Sequence, residues 1–314
     1  MTVPTLNYVS CTDAQGSHRM AYWLWGAPDA AHAVVCVHGL SRQGRDFDAL
    51  AQALLARSAQ PLRIVCPDVV GRGRSEWLAD PMGYAIPTYA SDMLQMIGQL
   101  HAQAPLARLD WVGTSMGGLI GMALAGSEAV PLPLPVRRLV LNDVGPVIQW
   151  SALERIGGYL GQTGRFASVQ QAADAMWQVS QGFGPHTPAQ WLALSQAMVR
   201  PLPEGGYTLH YDPAIAVPFR ALDATAAAAG QAALWQLYDG IRARTLLLRG
   251  AQSDLLSRDT ALEMTARGPR PRLIEFEGVG HAPTLLAPDQ LEAVTAFLLA
   301  PESAADEKPR RGTG

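Results

Sequence analysis

The stretch DWVGTSMGGLIGM (residues 110–122) begins like a buried strand, in residues 110–112, and ends like a buried helix, in residues 119–122. Between the two lies Ser115, with Gly113 two positions before it and Gly117 two positions after it. A G-x-S-x-G turn between a strand and a helix is typical of a nucleophile elbow, which projects a serine hydroxyl beyond the end of the sheet. The glycines leave the space that such a turn needs. A glycine-rich contact between helix and sheet is the alternative interpretation.

On both sides of this turn, short apolar segments alternate with segments of helical periodicity. Strands that are apolar on both faces and that alternate with helices indicate a parallel sheet covered by helices. The predicted strands are residues 33–39, 62–68, 107–113, 137–143, 243–250 and 271–276, and the clearest helices are residues 46–59, 88–100 and 288–300.

The alternation stops after residue 145. Residues 146–231 contain helical fragments, turn signals and three Trp, but no convincing strand. We therefore predict a core of residues 1–145 and 232–300, a helical cap of residues 146–231, and a disordered polar tail of residues 301–314. Five acidic residues and four Arg among the 86 residues of the cap predict a largely apolar surface above Ser115.

Composition excludes several classes of function. A net charge of −3 without a long basic run argues against a nucleic-acid partner. The chain contains no uninterrupted run of about 18 apolar residues, which argues against a membrane partner. Three cysteines, Cys11, Cys36 and Cys66, indicate reduced thiols in a cytoplasmic protein, and their spacing matches no zinc site. The single lysine, Lys308, leaves neither a Walker A loop nor a Schiff-base enzyme possible.

A serine nucleophile needs a base, and the base needs a carboxylate to orient it. His281 follows the last predicted strand in a loop rich in Gly and Pro, and Asp254 follows the strand before that. The chain order Ser115, Asp254, His281 is the order expected for a triad on this type of sheet. Asp143, at the end of the strand of residues 137–143, is the alternative acid, although its side chain could instead hydrogen-bond the main chain of the turn that leads into the helical cap. We favour Asp254.

Two backbone N–H groups are candidates for an oxyanion hole, which stabilises the charge that develops on a substrate oxygen. One is that of Met116, at the N-terminus of the helix after Ser115. The other is that of Leu40, which follows His38-Gly39 at the end of an early strand. We expect His38 to order its loop rather than to take part in the chemistry.

These motifs together resemble the α/β-hydrolases that carry a helical cap and an HG-type oxyanion turn. The matching segments are VHGLSRQGRDF, PDVVGRGRS, VGTSMGG, LNDVGP, RGAQSDLLS and GVGHAPTL, which span residue 34 to about residue 290. The resemblance implies an eight-stranded, mostly parallel sheet, a Ser-His-Asp triad, and hydrolysis of esters or lactones with no cofactor and no metal. In this family, enzymes that hydrolyse carbon–carbon bonds typically carry Trp after the catalytic His, whereas this chain has Ala282.

The predicted function is hydrolysis of a neutral or hydrophobic small-molecule ester or lactone through an acyl-enzyme on Ser115. The same triad could serve acyl transfer, perhydrolysis or carbon–carbon bond hydrolysis, and a non-catalytic ligand receptor on this scaffold is a further alternative. An acidic substrate is a weaker alternative, since the arginines near the predicted site are expected to pair with nearby aspartates; they are Arg42, Arg45, Arg72 and Arg74. The sequence leaves the natural substrate, the oligomeric state and any movement of the cap open.

Overall fold

The computed structural model describes residues 3–13 and 16–301. The strands are β1 (Thr5–Asp13), β2 (Gly16–Gly26), β3 (His32–Val37), β4 (Arg63–Asp68), β5 (Arg108–Thr114), β6 (Arg138–Asn142), β7 (Val199–Pro201), β8 (Tyr207–Leu209), β9 (Arg244–Gly250) and β10 (Arg272–Phe276). The α-helices are α1 (Asp48–Arg57), α2 (Ile86–Gln103), α3 (Met116–Ala125), α4 (Trp150–Tyr159), α5 (Val169–Ser180), α6 (Pro188–Gln196), α7 (Ala216–Ala221), α8 (Ala224–Gly240), α9 (Arg258–Ala266) and α10 (Pro288–Leu299).

Eight of the strands form one sheet in the order β1-β2-β4-β3-β5-β6-β9-β10. Strands β3 to β6, β9 and β10 pair in parallel, whereas β1 pairs antiparallel with β2, and β2 antiparallel with β4. The predicted fold class, an α/β-hydrolase fold with a mostly parallel eight-stranded sheet, is confirmed. The register pairs Thr114 of β5 with Asn142 of β6, so residues 115 and 143 leave the sheet side by side.

Helices cover the two faces of this sheet and bury its apolar side chains. Successive residues of β3 alternate between the faces: Val35 and Val37 pack in the core beneath α2 and α3, and Val34 and Cys36 pack in the core beneath α1 and α10. This alternation follows from the two-residue period of a strand, and it explains why β3 is apolar throughout. The catalytic candidates extend from the carboxyl-terminal ends of strands that are rigidly packed on both sides.

Glycine is required where α3 packs against the end of β3. A Cβ atom on Gly117 would lie 2.0 Å from the carbonyl oxygen of Val37, and one on Gly113 would lie 2.3 Å from the carbonyl oxygen of Gly117. Both obstacles are main-chain atoms, which cannot swing aside as the end of a side chain can. The glycines that flank Ser115 therefore set how closely the helix approaches the sheet.

Gly117→Ala is expected to lower the free energy of unfolding by more than about 3 kcal/mol, because the new methyl group must displace the backbone of β3. Gly98→Ala is the matched control, since Gly98 lies inside α2 and, apart from the adjoining backbone of that helix, nothing lies within 4 Å of the position its Cβ would take. There the substitution should raise stability by about 0.5–1 kcal/mol. Urea denaturation followed by circular dichroism measures both effects, and equal stability of the two variants would contradict this account of the elbow.

The predicted cap is largely helical but also contains the antiparallel pair β7–β8. The expectation that residues 146–231 contain no strand is therefore wrong. Each strand has only three residues, too few to show alternation, and the turn between them contains Gly205 and Gly206, both at positive φ. The predicted boundary between residues 231 and 232 lies inside α8, which runs from the cap into the core.

Residues 302–314, nearly all of the predicted disordered tail, lie outside the described residues. Among the residues that are described, no helix is both long enough and apolar enough to cross a membrane.

Candidate active site

Ser115 occupies the turn between β5 and α3 with φ 51° and ψ −116°, a left-handed backbone conformation that is strained for a residue with a side chain. Its main chain is held by hydrogen bonds in both directions: its N–H donates to Asn142, and its carbonyl accepts from Gly118. The Ser115 Oγ lies 3.0 Å from the Nε2 of His281. A hydroxyl at this distance from an imidazole nitrogen can transfer its proton to it.

His281 lies in the loop after β10, and its second ring nitrogen, Nδ1, lies 2.7 Å from the Oδ2 of Asp143. Asp143 is fully buried directly after β6, and its positive φ of 56° turns the side chain toward the histidine. Its other carboxylate oxygen, Oδ1, accepts a hydrogen bond from the N–H of Gly250. Ser115, His281 and Asp143 thus form one continuous hydrogen-bonded chain.

The prediction that Asp254 orients His281 is wrong. Asp254 lies at the surface with 44% of its side chain exposed, and it forms a two-point ion pair with Arg155 of α4 in the cap, at 2.6 and 2.9 Å. Asp254 thus pairs with the cap at the surface, and the imidazole of His281 bonds to Asp143 instead. Because β6 lies beside β5 in the sheet, the residue after β6 emerges next to Ser115, and this places the Asp143 carboxylate within hydrogen-bonding distance of His281.

Ser253, from the same loop, was missed by the sequence analysis and contacts the acid directly. Its Oγ donates a hydrogen bond of 2.6 Å to the Oδ2 of Asp143, the oxygen that also faces His281. Hydrogen bonds to a carboxylate are stronger than those between neutral groups, and this one restricts the rotation of the Asp143 side chain.

Ser253→Ala is expected to lower kcat about tenfold and to leave KM nearly unchanged, since a hydrogen bond to a charged group contributes about 1.5–3 kcal/mol. Steady-state kinetics on an ester substrate measure both constants. Ser257→Ala is the control: Ser257 caps α9 through the N–H of Thr260 and does not contact the hydrogen-bonded chain. Equal kcat values for the two variants would mean that Ser253 has no influence on the acid.

The predicted oxyanion groups lie beside Ser115. A Cβ atom on Gly39 would be 3.7 Å from the Ser115 Cβ, and Leu40 and Met116 line the same cavity as Ser115. Within the described chain, no main-chain hydrogen bond outside regular helices and strands uses the N–H of Leu40 or of Met116. Both groups are therefore available to a substrate oxygen.

His38 orders the oxyanion turn, as expected from the sequence. Its Nε2 accepts a hydrogen bond from the N–H of Val69, so the proton lies on Nδ1, which donates to the carbonyl of Gly39 at 2.7 Å. Complete burial, reinforced by the positive charges of Arg72 and Arg42, lowers the pKa of His38 to about 3. The ring is consequently neutral at physiological pH and acts as a fixed connector.

Two of the four arginines near the site form ion pairs with aspartates, as expected from the sequence: Arg42 pairs with Asp46, and Arg45 pairs with Asp48. These two guanidinium groups are therefore not held ready for an anionic substrate. Arg74 is exposed, and its contact with Asp68 is made by its main-chain N–H rather than by its side chain. The fourth, Arg72, bonds to main-chain carbonyls and to the Tyr89 hydroxyl.

A cavity of about 530 Å³ opens above Ser115, between the core and the cap. None of the described residues that line it carries a charge. Core residues, helix α4 and the segment from α7 to α8 form its walls, which include Leu40, Tyr84, Met116, Leu119, Trp150, Leu153, Ile156, Phe219 and Leu234. The predicted apolar surface above the serine is present, and it is suited to a neutral ligand.

One cluster of potential metal ligands lies near the β1 edge of the sheet. It consists of Cys11, His18 and Asp92, whose ligand atoms lie within 4.8 Å of one another. The His18 ring lies 3.0 Å from the Asp92 carboxylate and 3.7 Å from the Asp13 carboxylate. None of these residues lines the cavity above Ser115.

Comparison with known proteins identifies a family and several relatives that this chain resembles. The model of the alpha/beta hydrolase family matches residues 34–294. A 3-hydroxybutyrate-oligomer hydrolase of Cupriavidus necator is 49% identical over 298 residues, which cover 94% of this chain and 97% of that protein. The solved structure of an alpha/beta hydrolase from Novosphingobium aromaticivorans has a TM-score of 0.79 and 32% identity, with 95% of this chain and 99% of that chain covered. A structure from Rickettsia typhi has a TM-score of 0.82 and 26% identity, with 95% and 100% covered.

Proposed function

The chain belongs to the α/β-hydrolase family, and on that premise we propose that it is a serine hydrolase that cleaves the ester bonds of short 3-hydroxybutyrate oligomers. The observation that carries this proposal is the chain of hydrogen bonds from Ser115 through His281 to Asp143, at 3.0 and 2.7 Å, beneath an uncharged cavity. The similarity to the Cupriavidus necator hydrolase supports the choice of substrate.

The proposed reaction has two steps. In the first, the Ser115 Oγ attacks the ester carbonyl carbon while His281 Nε2 takes the hydroxyl proton, and the imidazolium gives that proton to the departing alcohol. The N–H groups of Leu40 and Met116 stabilise the negative charge on the carbonyl oxygen, and Asp143 stabilises the imidazolium. In the second step, His281 removes a proton from water while the water oxygen attacks the acyl carbon, and the imidazolium then returns that proton to the departing Ser115 Oγ, which releases the acid and restores the serine and the neutral histidine.

The cavity suits the proposed substrate in size and polarity. Its volume of about 530 Å³ lies within the range of about 300–1,000 Å³ that is typical of small-molecule sites. An oligomer of 3-hydroxybutyrate consists of ester-linked units that are uncharged and that each carry a methyl group. Its only charge is the carboxylate at one end. The apolar walls can contact the methyl groups, and the absence of a cation among the described lining residues favours an arrangement in which the terminal carboxylate lies at the open mouth.

The test is an assay of the purified protein with the dimer and trimer of 3-hydroxybutyrate, in which the released monomer is measured. p-Nitrophenyl butyrate serves as a general ester, and Ser115→Ala serves as the control for background hydrolysis. We expect the wild type to cleave the oligomers and the butyrate ester. Cleavage of the butyrate ester alone would exclude the proposed substrate, and no cleavage of either compound would exclude an ester hydrolase. A competing alcohol in the same assay would reveal acyl transfer as a mixed ester product.

A further inference from the structure

Arg72, in the GRGRS segment after β4, is completely buried yet carries a positive charge. Its Nε donates to the carbonyl of Leu40 at 2.8 Å, and its Nη1 donates to the carbonyl of Val70 at 2.7 Å and to the hydroxyl of Tyr89 at 3.0 Å. Its Nη2 lies 3.7 Å from the Sδ of Met116. The guanidinium therefore contacts both residues whose N–H groups form the proposed oxyanion hole.

The guanidinium can fix the relative positions of these two residues because its nitrogen atoms form a rigid planar fork. Leu40 belongs to the loop after β3, and Met116 belongs to the first turn of α3. The two residues are therefore distant in the sequence, and the adjoining backbone does not fix their separation. One side chain that contacts both restricts the distance between their N–H groups. Placement of such donors to within a fraction of an ångström decides how well they stabilise a transition state.

The charge of Arg72 meets only neutral groups in these contacts. In the described part of the chain, the hydrogen bonds of its guanidinium end on carbonyl and hydroxyl oxygens and on the Met116 sulfur, and the rings of Tyr89 and Tyr84 lie 4.9 and 5.7 Å from it. Carbonyl dipoles and aromatic faces offset part of the cost of burial without cancelling the charge. A buried positive charge in contact with both residues of the proposed oxyanion hole favours the negative charge that forms on the substrate oxygen.

The loop that carries Arg72 is itself held by the segment that returns from the cap. The N–H of Gly73 donates to the carbonyl of His210, and the N–H of Asp212 donates to the carbonyl of Gly71. These two bonds flank Arg72 on either side. They give the HYDP segment, residues 210–213, a structural role that its sequence alone did not indicate.

We propose that Arg72 is a positioning residue for the oxyanion hole: it holds Leu40 and Met116 in place and supplies a buried positive charge beside these two residues. This inference rests on the proposed serine hydrolase function. Arg72 does not line the cavity and so contributes to the transition state rather than to substrate affinity.

The test compares Arg72→Met and Arg72→Lys with the wild type on p-nitrophenyl butyrate. For Arg72→Met we expect kcat to fall by about 100-fold, the lower end of the effect of losing one oxyanion donor, with KM changed less than about threefold. The affinity for a trifluoromethyl ketone, which forms a tetrahedral adduct with serine, should fall by a similar factor. Arg72→Lys keeps the charge without the fork and should be intermediate in kcat.

Arg63 provides a matched control at the opposite end of β4. It is equally buried, and its guanidinium donates to the carbonyls of Ala30, Leu100 and Ala104. Arg63→Met should lower the free energy of unfolding but leave kcat within about twofold of the wild type, because it removes a buried guanidinium group at the other end of β4 from the site. If either Met variant fails to fold, the pair Arg72→Lys and Arg63→Lys provides the same comparison.

The inference is overturned if the folded Arg72 variants have the same kcat as the Arg63 variants. It is also overturned if Arg72→Met binds the trifluoromethyl ketone as tightly as the wild type does. Ser115→Ala, assayed in parallel, keeps this outcome separate from a failure of the proposed function. If Ser115→Ala is inactive while Arg72→Met is fully active, only the role of Arg72 is refuted. If Ser115→Ala retains activity, the serine mechanism itself is refuted.

Discussion

Replacement of Ser115 by Ala is expected to lower kcat by about 10⁴- to 10⁶-fold, as is typical when a catalytic nucleophile is removed. Ser115 carries the hydroxyl that is bonded to His281 Nε2, at 3.0 Å, so no acyl-enzyme can form without it. The backbone conformation should persist, because the bonds that hold the turn come from the main chain of Asn142 and Gly118. Steady-state kinetics measure the loss, and thermal unfolding should give a midpoint within a few degrees of the wild type.

Covalent labelling supplies an independent check on Ser115. A fluorophosphonate probe should modify the wild type at this residue, as identified by mass spectrometry of its peptides, and should not modify Ser115→Ala. Asp143→Asn should be labelled slowly, because the histidine that activates the hydroxyl has lost its partner. Attachment of the probe at a different residue, or an Ala variant as active as the wild type, would contradict the assignment of the nucleophile.

The elbow could be predicted from the sequence because its chemistry is local. The strained turn at Ser115, and the backbone contacts that a Cβ on Gly113 or Gly117 would violate, are both set within a few residues. The parallel sheet could be predicted for a similar reason, since each strand carries its own apolar pattern. The turn at Gly39-Leu40 and the position of His281 followed from the rule that loops at the carboxyl ends of parallel strands meet.

The acid could not be chosen in the same way, because two aspartates follow strands at that edge and the choice depends on side-chain direction. Asp143 adopts a positive φ that turns its carboxylate inward, whereas the loop after β9 turns at Ser253 and sends Asp254 to the surface. Neither feature has a signature in a single sequence: Asp commonly caps turns, and positive φ is uncommon outside Gly, Asn and Asp.

The role of Arg72 was also beyond the sequence, since its partners are distant in the chain. It contacts a carbonyl 32 residues before it and a sulfur atom 44 residues after it. Arg72 was one of four arginines that were expected to pair with acids, and two of the four, Arg42 and Arg45, form ion pairs with aspartates. Contacts from a cation to main-chain carbonyls depend on the path of the backbone rather than on residue type, so composition and spacing carry no information about them.

Asp143→Asn is expected to lower kcat by about 10⁴-fold, the loss observed when the acid of a serine triad is replaced by its amide. Asn keeps the shape of the side chain but loses the charge that stabilises the imidazolium, and it can hold the wrong tautomer of His281. Asp254→Asn should change kcat less than about twofold, because the pair with Arg155 is exposed and such pairs contribute about 0–1 kcal/mol. Kinetics on p-nitrophenyl butyrate, with circular dichroism to verify folding, compare the two variants.

A rescue experiment separates loss of the carboxylate from damage to the fold. The Ser253 Oγ lies 2.6 Å from the Asp143 Oδ2, the oxygen that faces His281 at 2.7 Å. Ser253→Asp therefore introduces a carboxylate close to the same imidazole nitrogen. The double variant Asp143→Asn/Ser253→Asp should recover part of the activity that is lost in Asp143→Asn. Structural damage alone would not be repaired by a second change in the neighbouring loop. If Asp254→Asn proves inactive and Asp143→Asn does not, the acid of the triad is Asp254. Its side chain must then turn from the surface toward His281 in the active enzyme.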